Sequence, residues 1–203
     1  EVVAAGHEFG QRADAYLDAQ RRGTRLDDLD GLRMAVAGDD EGHALAAHGL
    51  ERVAIIDFDV HHGNGTEDCC AGDDRILMCS IFQHPFYPYS GADKPAANMC
   101  NVPLAAGCGG EEFRDAVNQV WMPRLKEFKP QLIIISAGFD GHYEDDMGGL
   151  KLVEKDYAWC TEELKKVAAQ FSEKRIVSML EGGYVMTSLA RSVGAHLRSL
   201  ADL

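Results

Sequence analysis

An apolar run, Val53-Ala54-Ile55-Ile56, leads without a break into Asp57-Phe-Asp-Val-His-His-Gly-Asn-Gly-Thr66. Such a run of β-branched and aliphatic residues reads as a strand buried on both faces, which places this segment inside a covered parallel sheet. Side chains alternate along a strand, so Asp57, Asp59 and His61 fall on one side and Phe58 and Val60 on the other. Ionisable groups gathered at the end of a buried strand are costly unless a cation compensates them. Carboxylate oxygens with one imidazole nitrogen suit a divalent metal such as zinc, with a coordination position left for water.

The remaining apolar runs agree with this fold class. Strands are expected at Val53–Phe58, Ile76–Ile81, Leu132–Ser136 and Ile176–Leu180, in alternation with helical patterns. Glu111–Phe128 carries Phe113, Val117, Val120, Trp121, Leu125 and Phe128 at mostly helical spacing, and Pro123 should kink or restart it. Glu154–Phe171 and Ser188–Leu200 repeat the pattern, with Thr187 or Ser188 as N-cap of the latter. Residues 85–110, rich in Pro, Gly, Asn and aromatics, read as one long loop. Before residue 43 the patterning is poor: Val2–Arg21 reads as a helix ended by Gly23, and Ala44–His48 as a short helix before the first strand. The 203 residues are enough for one α/β domain. The chain starts at Glu1 and not at methionine, so it is compatible with a larger gene product.

A net charge of −13 argues against direct nucleic-acid binding, which needs a basic patch. It suits a cationic substrate, although a solvated acidic surface is the plainer reading. No run approaches the ~18 apolar residues of a membrane span. Six cysteines without a Cys-x-x-Cys pair read as reduced thiols, hence a cytoplasmic protein.

Ligands in open α/β sheets bind beyond the carboxyl ends of the strands. The strand at 132–136 ends in Ala137-Gly-Phe-Asp-Gly-His142, and the strand at 176–180 ends in Glu181-Gly-Gly-Tyr184. Parallel strands deliver these ends to one edge, so a metal held by Asp59, His61 and Asp140, with Tyr184 reaching across the open position, is the economical reading. Taken singly, Asp140 is a turn former or helix cap, Tyr184 a half-buried aromatic, and His84 and His142 loop histidines. Alternation turns His62 away from the metal.

These motifs, with Phe86-Tyr-Pro-Tyr-Ser-Gly91 and Asp145-Asp-Met-Gly-Gly-Leu150, closely resemble the histone deacetylase and acetylpolyamine amidohydrolase superfamily over residues 43–203. Asn64 is similar to the class II and bacterial branch. The resemblance implies a three-layer α/β/α fold of the arginase/deacetylase kind with a mostly parallel sheet, in a single domain shortened at its N-terminus. It implies Asp59, His61 and Asp140 as zinc ligands, the zinc acting as Lewis acid and lowering the pKa of its water. It makes Tyr184 the hydroxyl that polarises the amide carbonyl and Tyr87 a wall of the channel for the substrate's aliphatic stem. It also implies a monovalent cation, such as K+, near Asp57, Asp59, His61 and Ser80. Asp57 and Asn64 become supports for two adjacent histidines that act as general base and acid.

That histidine pair lies in an upstream Gly-His-His motif in the family, and this sequence has no such string. The nearest is Gly6-His7-Glu8; His43 and His48 lie in the expected short helix. The leading expectation is zinc-dependent removal of acetyl or short acyl groups from lysine side chains or polyamines. Its rival is a non-catalytic or degenerate zinc- and acyl-amine-binding module. A two-metal ureohydrolase is disfavoured by the single ligand histidine of Asp59-Val-His61. Upstream strands missing from the pattern would leave a sheet edge to be covered by residues 1–42 or by a second copy in a homo-oligomer.

Overall fold

The β-branched runs do form the centre of a parallel sheet. The computed structural model describes residues 4–5 and 49–202. Its strands are β1 (Ala4–Ala5), β2 (Val53–Asp57), β3 (Ile76–Gln83), β4 (Met99–Leu104), β5 (Leu132–Ala137) and β6 (Ile176–Leu180). All pair in parallel, in the order β1-β6-β5-β2-β3-β4. Every residue of β2 and β3 is buried, as the absence of apolar/polar alternation demands.

Two strands depart from expectation. Residues 85–110 are not one loop, because Met99–Leu104 pairs with β3 from Met78↔Met99 to Gln83↔Leu104. Asn101 and Pro103 hide this strand from an apolar-run reading. Its place at the sheet edge explains why Pro103, which cannot donate to a ladder, is tolerated. Ala4 and Ala5 pair with Ser178 and Met179, so this part of Val2–Arg21 is a strand and not a helix. The rest of that segment and Ala44–His48 lie outside the described residues.

The helices are α1 (Asn64–Cys70), α2 (Gly110–Ala116), α3 (Met122–Phe128), α4 (Glu154–Phe171) and α5 (Met186–Ala201). A wide π-helical turn, Val117–Trp121, joins α2 to α3 and sets Pro123 in the first turn of α3. Proline lacks an N–H and is at home there, so the predicted restart takes this form. α5 begins earlier than expected: its N-cap is Val185, and Ser188 lies inside the first turn, where its Oγ donates to Val185 O at 3.1 Å. Neither Thr187 nor Ser188 caps it.

One face of the sheet (Ala54, Ile56, Leu77, Ile133, Ile135) packs against Phe113, Trp121, Leu125, Tyr157, Leu164 and Leu200 of the helical layer. On the other, Val53, Ile55, Met78 and Ile134 pack with Cys70 of α1 and Leu50. Asn98 ties that second layer together. Its Nδ2 donates to the carbonyls of Cys70, Asp73 and Ile76 at 2.8, 3.0 and 3.0 Å, and its Oδ1 accepts the Gly72 N–H at 2.9 Å.

Candidate metal centre

β2, β5 and β6 lie side by side, with Asp57 opposite Ser136 and Ala137 opposite Leu180, so their C-terminal ends open onto one edge. There the donor atoms of Asp59, His61 and Asp140 come within 4.8 Å of one another. His61 Nδ1 lies 3.0 Å from Asp59 Oδ1 and 3.2 Å from Asp140 Oδ2.

The main chain holds both carboxylates. Asp140 Oδ1 accepts the Val60 N–H at 2.9 Å, and Asp59 Oδ2 accepts the Gly182 N–H at 2.8 Å. Asp59 Oδ1 also accepts the His61 N–H at 2.8 Å. Close approach explains two glycines: a Cβ at Gly182 would strike the Asp140 carboxylate, and one at Gly138 would strike that of Asp59.

The electrostatics of the site suit a cation. The adjacent carboxylates, Asp140 first and then Asp59, raise His61 from 6.5 to about 10. Burial raises Asp140, and the charge of Asp59 adds to it. Burial and then the Asp59 charge push Asp57 well above the carboxylate range, and Glu181 rises for the same two reasons. Crowded negative charge of this kind favours a bound cation. The residues fit a divalent metal on a further count. Asp140 is fully buried, yet among the described residues its Oδ2 has no well-formed hydrogen bond and only the His61 ring as charge partner.

The aromatic loop after β3 borders the triad. Phe86 stacks on His61 at 5.4 Å between ring centroids and 25° between planes, while Tyr87 meets it edge-on at 6.1 Å. Phe86 had no assigned role in the sequence reading; only its membership of an aromatic loop hinted at one. Tyr184, two residues beyond Gly182, is 55% exposed at the same edge. Its hydroxyl is raised by partial burial and by the Asp140 and Asp59 charges.

The supporting residues are distributed differently from one another. Asp57 is buried, and its Oδ1 accepts the Asp59 N–H at 3.0 Å. Ser80 lies beside Asp57 in the β2–β3 register, and its buried Oγ has no hydrogen-bond partner among the described residues. Asn64 is exposed at the start of α1 and donates its main-chain N–H to His62 O at 2.9 Å. No histidine stands beside Asp57 or Asn64 as a hydrogen-bonded pair among the described residues. His62 is turned to Glu67, with Nε2 2.8 Å from Oε2 and the Phe82 ring 4.5 Å away. His142 is a loop histidine but a fully buried one, its Nδ1 accepting the Glu144 N–H at 3.1 Å. His7, His43 and His48 lie outside the described residues.

A parallel sheet that carries an Asp-x-His strand end, a facing Asp loop and a Gly-Gly-Tyr turn at one edge defines an arginase/deacetylase-type α/β fold. Solved structures share it. The crystal structure of the HDA15 HD domain superposes with a TM-score of 0.73 at 30% identity, over 79% of this chain and 48% of that one. The histone deacetylase Clr3 gives 0.72 at 30% identity, over 79% of this chain and 29% of that one. Residues 42–200 match the family described as the histone deacetylase domain, and the chain belongs to that family.

Relatives include type-2 histone deacetylase 2 of Dictyostelium discoideum, 41% identical over 79% of this chain and 10% of the relative. Chloroplastic histone deacetylase 14 of Arabidopsis thaliana is 37% identical over 78% of this chain and 39% of its own length. The histone deacetylase-like amidohydrolase of Pseudomonas aeruginosa is 36% identical over 70% of this chain and 39% of its own. This chain therefore spans well under two thirds of the relatives it matches. Among the described residues no helix is long and apolar enough to cross a membrane.

Proposed function

We propose that this chain carries the zinc- and substrate-holding part of an amidohydrolase that removes acetyl or short acyl groups from lysine side chains or polyamines. The observation that carries the reading is the triad: Asp59, His61 and Asp140 converge from two strand ends, and the Asp59 carboxylate reaches across to the β6 loop that bears Tyr184. Those three residues would hold the zinc. When bound, zinc supplies Lewis acidity and a water whose pKa is drawn toward neutrality. The Tyr184 hydroxyl donates to the substrate carbonyl oxygen and stabilises the negative charge that grows there. Phe86 and Tyr87 border the approach to His61 and suit the aliphatic stem of an acylated amine. The unpartnered Ser80 Oγ beside buried Asp57 supports a K+ position with Asp57, Asp59 and His61. Six cysteines without a Cys-x-x-Cys pair support a reducing compartment, and we assign the cytoplasm.

The second reading, a binding module with little turnover, is favoured by one observation. The sequence has no Gly-His-His, and Asp57 and Asn64 have no histidine to support among the described residues. Proton-transfer groups of that kind contribute about 10²–10⁴-fold in rate. Acetate release from an acetyl-lysine peptide and from an acetylated polyamine separates the two readings. Turnover above the His61→Ala background supports the enzyme, and release no faster than that variant rejects it for this chain.

A further inference from the structure

Tyr184 is held by its main chain, and the group that holds it lies on another loop. Asp145 is buried between the β5 and β6 loops, 4% exposed. Its Oδ2 accepts the N–H of Tyr184 at 2.7 Å and that of Val185 at 3.2 Å. Its Oδ1 accepts the Met147 N–H at 3.0 Å, and its own N–H donates to His142 O at 2.9 Å. On the near side of the turn, Gly182 gives its N–H to Asp59 and accepts the Phe139 N–H at 2.8 Å. Between the two anchors sits Gly183 at φ +139°, where a Cβ would lie 2.6 Å from Leu189 Cδ1. The β6 loop is thus fastened through alternate amides, Gly182 to Asp59 and Tyr184 to Asp145.

Tyr184, by contrast, is half exposed and its hydroxyl has no hydrogen bond among the described residues, so the main chain at 184 governs where that hydroxyl can go. We infer that Asp145 is a positioning residue for Tyr184, a carboxylate that keeps the hydroxyl turned toward the metal edge. This rests on the reading of Tyr184 as the donor to the substrate carbonyl. Charge-assisted bonds to main-chain N–H groups are short and directional, and a carboxylate can serve both oxygens at once. An amide in its place offers one oxygen and two hydrogens, so Asp145→Asn cannot accept from Met147 and from Tyr184 together.

Two readouts test this, and neither needs turnover. In the metal-free 203-residue chain, the Tyr184 and Val185 amides should exchange with solvent slowly despite the exposed side chain. Exchange at free-peptide rates in the wild type would overturn the inference without any variant. Asp145→Asn should speed both amides by about tenfold or more while Gly182, held by Asp59, keeps its rate. Unchanged rates at 184 and 185 would also overturn it.

The second readout is the affinity of the zinc-loaded chain for a short alkyl hydroxamate, whose carbonyl can accept from Tyr184. Tyr184→Phe and Asp145→Asn should each weaken binding about tenfold, the worth of one such hydrogen bond. The double variant should weaken it about tenfold as well, since both changes remove the same interaction. A hundredfold loss in the double variant, or none in Asp145→Asn, contradicts a positioning role and leaves only a structural one. Failure of the wild type to bind hydroxamate would sink the amidohydrolase reading instead, and the exchange rates would then decide the clamp alone.

Discussion

His196 should make stability fall on acidification, by an amount that follows from its surroundings. It lies in α5, 2% exposed, with Nδ1 2.7 Å from Thr161 Oγ1 and Nε2 2.8 Å from Ser178 Oγ. Thr161 donates its single hydroxyl proton to Tyr157 O at 2.7 Å, so its oxygen can only accept from Nδ1–H. That leaves Nε2 to accept from Ser178, and the imidazole is fully satisfied while neutral. Phe58 and Phe139 close the ring edges, with centroids at 6.0 and 5.8 Å. Among the described residues no carboxylate compensates a charge here, and burial lowers His196 from 6.5 to about 4. The unfolded chain therefore binds a proton between these values and the folded chain does not. The contribution of His196 is complete above pH 6.5 and declines as pH falls, levelling off near pH 4. At about 1.4 kcal/mol per unit, the whole span is worth about 3 kcal/mol. Urea unfolding of wild type and His196→Gln at pH 4 to 8 isolates this group, because the other titrating residues cancel in the difference. The wild-type curve should approach that of the variant by about 3 kcal/mol on going from pH 7 to pH 4. A difference that stays constant with pH would refute the neutral, burial-controlled histidine.

Gly182→Ala should lower zinc affinity about 100-fold, since the new Cβ displaces the Asp140 carboxylate, and competition with a chromophoric chelator measures it. Gly65→Ala provides the contrast: it lies inside α1 with nothing within 4 Å of the new methyl, and should gain about 0.5–1 kcal/mol in urea unfolding. Asn98→Ala should cost about 1–3 kcal/mol by the same assay, because the Gly72 N–H loses its acceptor and three carbonyls lose the Asn98 donor, those of Cys70 and Asp73 keeping a main-chain N–H. A loss under ~0.5 kcal/mol would mean that water replaces the side chain at no cost.

What could be read from the sequence and what could not divide along physical lines. β2, β5 and β6 are mainly apolar runs and can be read as strands, whereas their order in the sheet is a property of the assembled fold. Asp59, His61 and Asp140 could be grouped because strand alternation and a shared carboxyl edge are properties of the backbone. β4 could not be seen, since Asn101 and Pro103 break its apolar run, and the edge position that tolerates the proline is a property of the assembled sheet. α1 spans seven residues, too short for a helical period to register. Asp145 was visible only as part of a motif: a loop carboxylate that serves distant amides leaves no periodic trace. The start of α5 was misplaced for the same reason, because the Val185 N–H is met from outside the helix and not by Thr187 or Ser188.

The central claim is that the triad is built for one zinc. Equilibrium dialysis against zinc, followed by elemental analysis, tests it directly. The wild-type chain should retain one zinc per molecule, and His61→Ala and Asp140→Asn should retain none at the same free concentration. A wild type that retains no zinc, or variants that retain as much as the wild type, would contradict the account.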